Sequence, residues 1–180
     1  MKDDADPLPL RGDGVVLRRL DVSDLEAFQA YRRDTGLGRY QGWSPLLDAS
    51  ARAFLEEMSA IPLFRPGEWA QVGIADPASG VLLGDLGLHL GSTTREVEIG
   101  FTLARPAHGR GLATAAVRVA LRLVFDQPTV ERAIAVADAR NRASIGVLER
   151  VGMRRLEARA ALSRGEPCVE LVYALGRDRA

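Results

Sequence analysis

Along the chain the spacing of apolar positions switches between helical and strand-like, and each switch marks a new element. Val15 to Leu20 reads as a short strand. Ser23-Asp-Leu-Glu26 has the form of a capping box, and Leu25, Phe28 and Tyr31 follow at helical spacing, which predicts a helix ending near Gly36. Ala53, Leu55 and Met58 supply apolar positions for a second helix over 49–60. From Glu68 the pattern becomes extended. Trp69 to Ala75 alternates, the turn D-P-A-S-G occupies 76–80, and Val81 to Leu90 forms the return strand. A second turn over 91–95 leads into a strand from Glu96 to Leu103.

The next stretch, Arg105 to Thr114, interrupts the pattern with Gly109 and Gly111 and opens a helix of roughly Gly111 to Phe125. Asp126-Gln-Pro stops that helix, Arg132 to Ala137 reads as a strand, and a helix over 142–151 ends at Gly152. Met153 to Ala161 and Pro167 to Leu175 complete the pattern as two strands joined by S-R-G-E. The order β-α-α-β-β-β-α-β-α-β-β predicts a mixed α/β (α+β) domain, with a mostly antiparallel sheet of about seven strands flanked by four helices. The prolines and glycine of the first dozen residues predict a flexible tail over 1–13, ahead of one domain over 14–176.

Composition narrows the possible functions. The 24 basic and 24 acidic residues balance, which argues against a partner held mainly by phosphate charge, such as DNA or RNA. One cysteine, Cys168, excludes an internal disulfide and a cysteine-based zinc site, and with only His89 and His108 no metal is expected. The acidic start is no signal peptide and no run spans a membrane, so a soluble cytoplasmic protein is expected.

The glycine turn is the main candidate for chemistry. A glycine-rich turn feeding a helix leaves backbone N–H groups pointing outward at the positive end of the helix dipole, a receptacle for phosphate. The dinucleotide fingerprint is excluded because Thr114 stands where its third glycine belongs, and no Gly-Lys-Ser/Thr is present for a Walker-type loop.

With this turn after its central strand, the chain from about Val15 to Leu175 resembles the GCN5-related N-acetyltransferase superfamily. The family signature Gln/Arg-x-x-Gly-x-Gly/Ala is matched by His108-Gly109-Arg110-Gly111-Leu112-Ala113, followed by Thr114, with His108 departing from the usual first residue. A second block, Asn141-Arg-Ala-Ser144 through Gly152-Met153, is similar to the family segment beside the pantetheine arm; an ordinary helix N-cap is the alternative reading of Asn141. The opening L-R-R-L-D-V-S-D-L, Trp43-x-Pro45, L-L-G-D-L-G-L and E-I-G-F most resemble the branch containing the ribosomal-protein N-terminal acetyltransferases, which also includes enzymes acting on aminoglycosides and polyamines.

The resemblance implies acetyl transfer from acetyl-coenzyme A, as a cosubstrate, to a primary amine on a protein N-terminus or a small molecule. It implies that His108 through Thr114 hold the pyrophosphate, and that a backbone N–H near Phe101 to Leu103 supports the oxyanion. The splayed neighbouring strands would leave a slot for pantetheine, with Asn141 and Ser144 beside it. The amine must lose its proton, and Glu98 is the first candidate base, with Asp85, Glu96 and His89 as alternatives. The tyrosine acid of many members is replaced by Leu148, which leaves the Ser144 hydroxyl as donor to the sulfur; Tyr173 and Cys168 are further candidates. Tyr40, Trp43 and Phe64 are candidates for the acceptor cleft or for anchoring its loop, Asp85 is also a candidate to bind the substrate, and Asp34 and Asp48 are candidates to attract a cationic amine. The competing reading is a non-catalytic acyl-coenzyme A sensor. A homodimer through the last strands is a further implication of the resemblance.

Overall fold

A computed structural model describes residues 6–179. The strands are β1 (Leu10–Gly12), β2 (Val15–Arg19), β3 (Trp69–Ala75), β4 (Leu82–Leu90), β5 (Glu96–Leu103), β6 (Arg132–Asp138), β7 (Arg154–Ser163) and β8 (Glu166–Gly176). The helices are α1 (Leu25–Arg32), the single turn α2 (Thr35–Gly38), α3 (Asp48–Ala60), α4 (Leu112–Phe125) and α5 (Arg142–Arg150). The strands form one sheet in the order β1-β2-β3-β4-β5-β6-β8-β7, and every neighbouring pair is antiparallel except β5 and β6. That exception follows from the connection, because α4 returns the chain to the same end of the sheet.

The alternating pattern of β5 sets the two faces. Val97, Ile99 and Leu103 pack with Ala116, Val117, Ala120 and Val124 of α4 in the main core. On the opposite face Phe28, Tyr31, Leu55 and Met58 from α1 and α3 gather around Leu20 and Leu82 in a smaller core. The inward residues of α3 are Ala51, Leu55 and Met58, at spacings of four and three, while the expected Ala53 is exposed.

Three local expectations change. Residues 10–12, expected in a loose tail, form β1, paired with β2 through Leu10↔Leu17 and Gly12↔Val15. A Cβ on Gly12 would stand 2.5 Å from Val119 Cγ2, so this strand lies against α4 at a distance only glycine permits. Residues 1–5 of the expected tail lie outside the described residues. The capping box is Asp21 with Asp24, because Arg18 holds the Asp24 carboxylate at 2.7 and 2.8 Å where it accepts from the Asp21 N–H. The first helix ends at Arg32 and restarts as α2, where Asp34 accepts from the Gly36 and Leu37 N–H groups.

Candidate active site

β5 and β6 run side by side only through Glu96↔Arg132, Val97↔Ala133 and Glu98↔Ile134, and beyond that point their pairing stops. Which backbone groups face the gap follows from the β4–β5 ladder. Gly91 N–H donates to the Glu96 carbonyl and Ala104 N–H to the Leu83 carbonyl, so the even-numbered residues of β5 bond to β4. The N–H and C=O groups of Phe101 and Leu103 therefore face β6, where no strand partner remains.

The carbonyls there are covered by side chains. Gln41 Nε2 donates to the Phe101 carbonyl at 3.3 Å, and His108 Nε2 lies 2.8 Å from the Leu103 carbonyl. As the carbonyl can only accept, His108 carries its proton on Nε2. That nitrogen is occupied in bracing the end of β5, and in this tautomer Nδ1 is an acceptor with no proton to give to an anion. The amides of Phe101 and Leu103 remain as donors.

A cleft of about 610 Å³ opens from this gap. Its walls include Phe101, Thr102 and Leu103 of β5, and His108, Gly109, Gly111, Leu112, Ala113 and Thr114 of the turn and helix start. Asn141 and Ser144 close it from α5, and Tyr40 from the segment after α2. Gly109 and Gly111 have φ of 71° and 76°, and a Cβ on either would meet no atom within 4 Å. Glycine is required there by backbone conformation, and the space in front of the turn is open. Arg110, between them, does not line the cleft; it is exposed and its charge acts on Asp76. Asn141 does cap α5, accepting from the Ser144 N–H at 3.2 Å, and it faces the cleft as well.

Residues without a sequence assignment complete the walls. Arg105 and Arg150 add cationic groups, Arg150 Nε donating to the buried Thr114 hydroxyl at 3.3 Å. Arg150 lies beyond Ser144 and Val147 on one face of α5, a three-residue spacing that starts from Asn141 and is legible in the sequence. Gly36, Leu37 and Gln41 come from a turn whose position only the tertiary fold sets.

Other expected site residues are placed elsewhere. Asp85 is 3% exposed and does not line this cleft; Tyr31 Oη donates to its Oδ2 at 2.6 Å and Arg32 at 2.5 Å. It is an ion-pair partner inside the protein and has no free face for a substrate. Burial first, and the neighbouring Asp85 charge second, push the Tyr31 hydroxyl well above its usual range. Trp43 packs on the Arg32 guanidinium, 4.5 Å from its centre, and borders a second cavity of about 420 Å³ instead of the first. Phe64 packs against the main core. Tyr173 donates to Glu149 at 3.2 Å, and Cys168 sits on β8 opposite Ala161, both outside the cleft walls. Glu96 is paired with Arg132, and Asp48 is exposed with Arg33 at 2.5 Å.

Glu98 borders neither cavity but stands at the last paired position, the apex of the gap. Phe101 is three residues further along, roughly 10 Å at strand rise. Its side chain shares a face with Asp85 and His89, the face on which α1 packs. Burial raises its carboxyl above the usual carboxylate range, opposed by the nearby His89 and Arg159. The neighbouring Gly100 offers no side chain to cover it.

A glycine turn at the mouth of a gap between two parallel strands is what the acetyltransferase (GNAT) domain family predicts, and that family's model matches residues 15–154. The chain belongs to this family of acetyltransferases. The fold is shared with a GNAT-family acetyltransferase from Bacillus anthracis at TM-score 0.83 and 21% identity, over 95% of this chain and 99% of that one. It is shared with RimL, a ribosomal L7/L12 alpha-N-protein acetyltransferase in complex with coenzyme A, at 0.77 and 16%, over 93% and 96%. It is also shared with the microcin C7 self-immunity acetyltransferase MccE, in complex with acetyl-CoA and AMP, at 0.75 and 14%, over 91% and 93%. The single domain, mixed sheet and flanking helices expected from the sequence are present, with eight strands and five helices among the described residues.

Proposed function

We propose that this protein moves an acetyl group from acetyl-coenzyme A to a primary amine by direct attack of the amine on the thioester. The observation that carries the reading is the gap after Glu98↔Ile134, edged by two free amides and closed at its outer end by the Gly109–Gly111 turn. The turn amides and the N-terminal end of α4 receive the pyrophosphate, with Arg150 adding positive charge. The pantetheine arm lies along the unpaired edge of β5, beside Asn141 and Ser144, with its thioester toward the apex.

The chemistry then needs little machinery. The amine nitrogen forms a bond to the thioester carbon as the C–S bond breaks, and the negative charge developing on the carbonyl oxygen is met by an amide of β5. The amine proton passes through water to Glu98, a carboxylate that burial makes a stronger base than an exposed one. The sulfur leaves as thiolate, with the Ser144 hydroxyl as a hydrogen-bond donor to it. Holding two substrates side by side in one cleft supplies much of the rate.

The test is release of free coenzyme A, followed with a thiol reagent across pH 5.5–9.5, for wild type and Glu98→Gln. A base role predicts that kcat falls by about 10² in the variant, with partial recovery at high pH and an unchanged Kd for acetyl-coenzyme A. Equal kcat in the two proteins removes Glu98 from the mechanism. Binding of acetyl-coenzyme A without turnover of any amine replaces the enzyme reading with that of a sensor.

A further inference from the structure

The second cavity meets the cleft at Gly36, which lines both. Its walls come from the α1–α2 segment, the turn after β6 and the tip of the β7–β8 hairpin. Four arginines line it, Arg32, Arg39, Arg140 and Arg164, against two carboxylates, Asp34 and Glu166.

Pairing decides which of these charges remain free. Arg32 is matched by Asp85 and Arg140 by Asp138, while Asp34 is engaged by Arg105 from the neighbouring cleft. That leaves Arg39 and Arg164 facing Glu166. Arg164 donates to the Trp43 carbonyl at 2.5 Å, a contact that cancels no charge. Arg39 has no hydrogen-bond partner among the described residues; the Tyr40 ring lies 5.4 Å from its guanidinium, and its charge also acts on Asp138, whose hydrogen bonds go to Arg140.

The surplus of donors continues into the wall. The Arg32 side chain is 7% exposed, and its Nε meets no acceptor. Trp43 Nε1 is equally buried and equally unpaired. Buried donors without acceptors are costly, so a cavity wall built this way is poorly matched to an occupant made of donors.

We infer that this cavity receives a negatively charged part of the acceptor, so that the substrate is a primary amine carrying a carboxylate or phosphate close to its nitrogen. The inference rests on the acetyltransferase reading and names the substrate class for it. The arginines act twice. They attract the anionic group, and their positive field favours the neutral amine over the ammonium, which is the form able to attack. The same field opposes polyamines and aminoglycosides, whose several positive charges have only Glu166 to meet. The Asp34 and Asp48 carboxylates offer such amines nothing further, since each is engaged by an arginine.

The experiment compares matched acceptors with acetyl-coenzyme A. Free amino acids and amino phosphates are set against their amides and alcohols, and peptides with N-terminal Asp or Glu against those with Asn or Gln. Spermidine and an aminoglycoside complete the panel. The acidic member of a pair is expected to have the higher kcat/KM by about tenfold, chiefly through KM, and the free and peptide arms show which source supplies the acid. In Arg39→Glu that preference is expected to collapse while KM for acetyl-coenzyme A stays unchanged, a split that loss of folding does not produce. Calorimetric titration of the coenzyme A-loaded protein with the N-acetylated acid reads the cavity without turnover. Equal rates within pairs, or a preference for the polyamines, overturns the inference and leaves the enzyme reading standing. Binding of the acetylated acid with no turnover supports the anion site and overturns the enzyme reading. Failure of both overturns both.

Discussion

Gly111→Ala separates what the glycine turn does for folding from what it does for a ligand. Gly111 is the residue before α4 and has φ of 76°, a left-handed conformation. An L-residue held there costs about 1–2 kcal/mol. Alanine also restricts the unfolded chain, which returns about 0.4–1 kcal/mol. Since the new Cβ meets nothing within 4 Å, no clash is added, and the net loss of stability is about 1 kcal/mol. For a domain of this size that lowers Tm by roughly 2–4 °C. Binding behaves differently, because the open space in front of Gly111 is where the phosphate approaches. Displacing the anion from one charge-assisted N–H bond costs about 2 kcal/mol, or roughly thirtyfold in Kd for coenzyme A. Gly67→Ala is the control, with φ of 80°, an equally open surrounding and no place in either cavity. Calorimetry with coenzyme A and thermal unfolding are measured on both variants. The expected outcome is an equal fall in Tm and a loss of affinity confined to Gly111→Ala. Two variants that bind alike would reduce the turn to an ordinary strand–helix connection and refute the phosphate reading.

Asp85→Asn should lower the free energy of unfolding by about 3–5 kcal/mol in urea titrations, because the buried Arg32 guanidinium then has no counter-charge. A loss near that expected for an exposed pair would mean that Arg32 turns to another partner. Asp34, held down to about 2 chiefly by its hydrogen bond to Arg105, stays charged in the folded protein as pH falls below the ordinary carboxylate range. Its contribution is complete above the unfolded pKa and is lost as pH falls through the folded value. The protection factors of the Gly36 and Leu37 amides, which donate to it, should accordingly hold steady to about pH 3 and fall in Asp34→Asn at neutral pH; unchanged protection in the variant would show that Asp34 does not hold α2.

The legibility of the chain followed the range of the forces involved. Strands β3 and β5 and helix α4 were bounded within a residue because alternation, helical spacing and glycine punctuation are local and agree with one another. β1 was missed because Gly12 and the prolines before it read as loop, while the reason for Gly12 is Val119, more than a hundred residues away. The cleft divides the same way. The proposed phosphate end lies on one continuous stretch, 108–114, where residue type and backbone conformation report each other. The proposed acceptor cavity beside it is assembled from residues 32–45, 140 and 163–166. No spacing relates these to one another, and the charge of each has meaning only after its partner is known. Asp85 illustrates the point, since a carboxylate on a central strand can be a base, a substrate anchor or an internal counter-ion. What decides is Arg32, on a helix more than fifty residues earlier, whose guanidinium reaches its carboxylate. Glu98 avoids that fate for an equally non-local reason: the residues across the sheet from it are His89 and Ile134, and neither supplies a guanidinium to pair with it. A carboxylate left unpaired at the apex of the gap, with its pKa raised by burial, is therefore a property of the assembled sheet, and E-I-G-F alone could nominate it but not distinguish it from Glu96 two residues before.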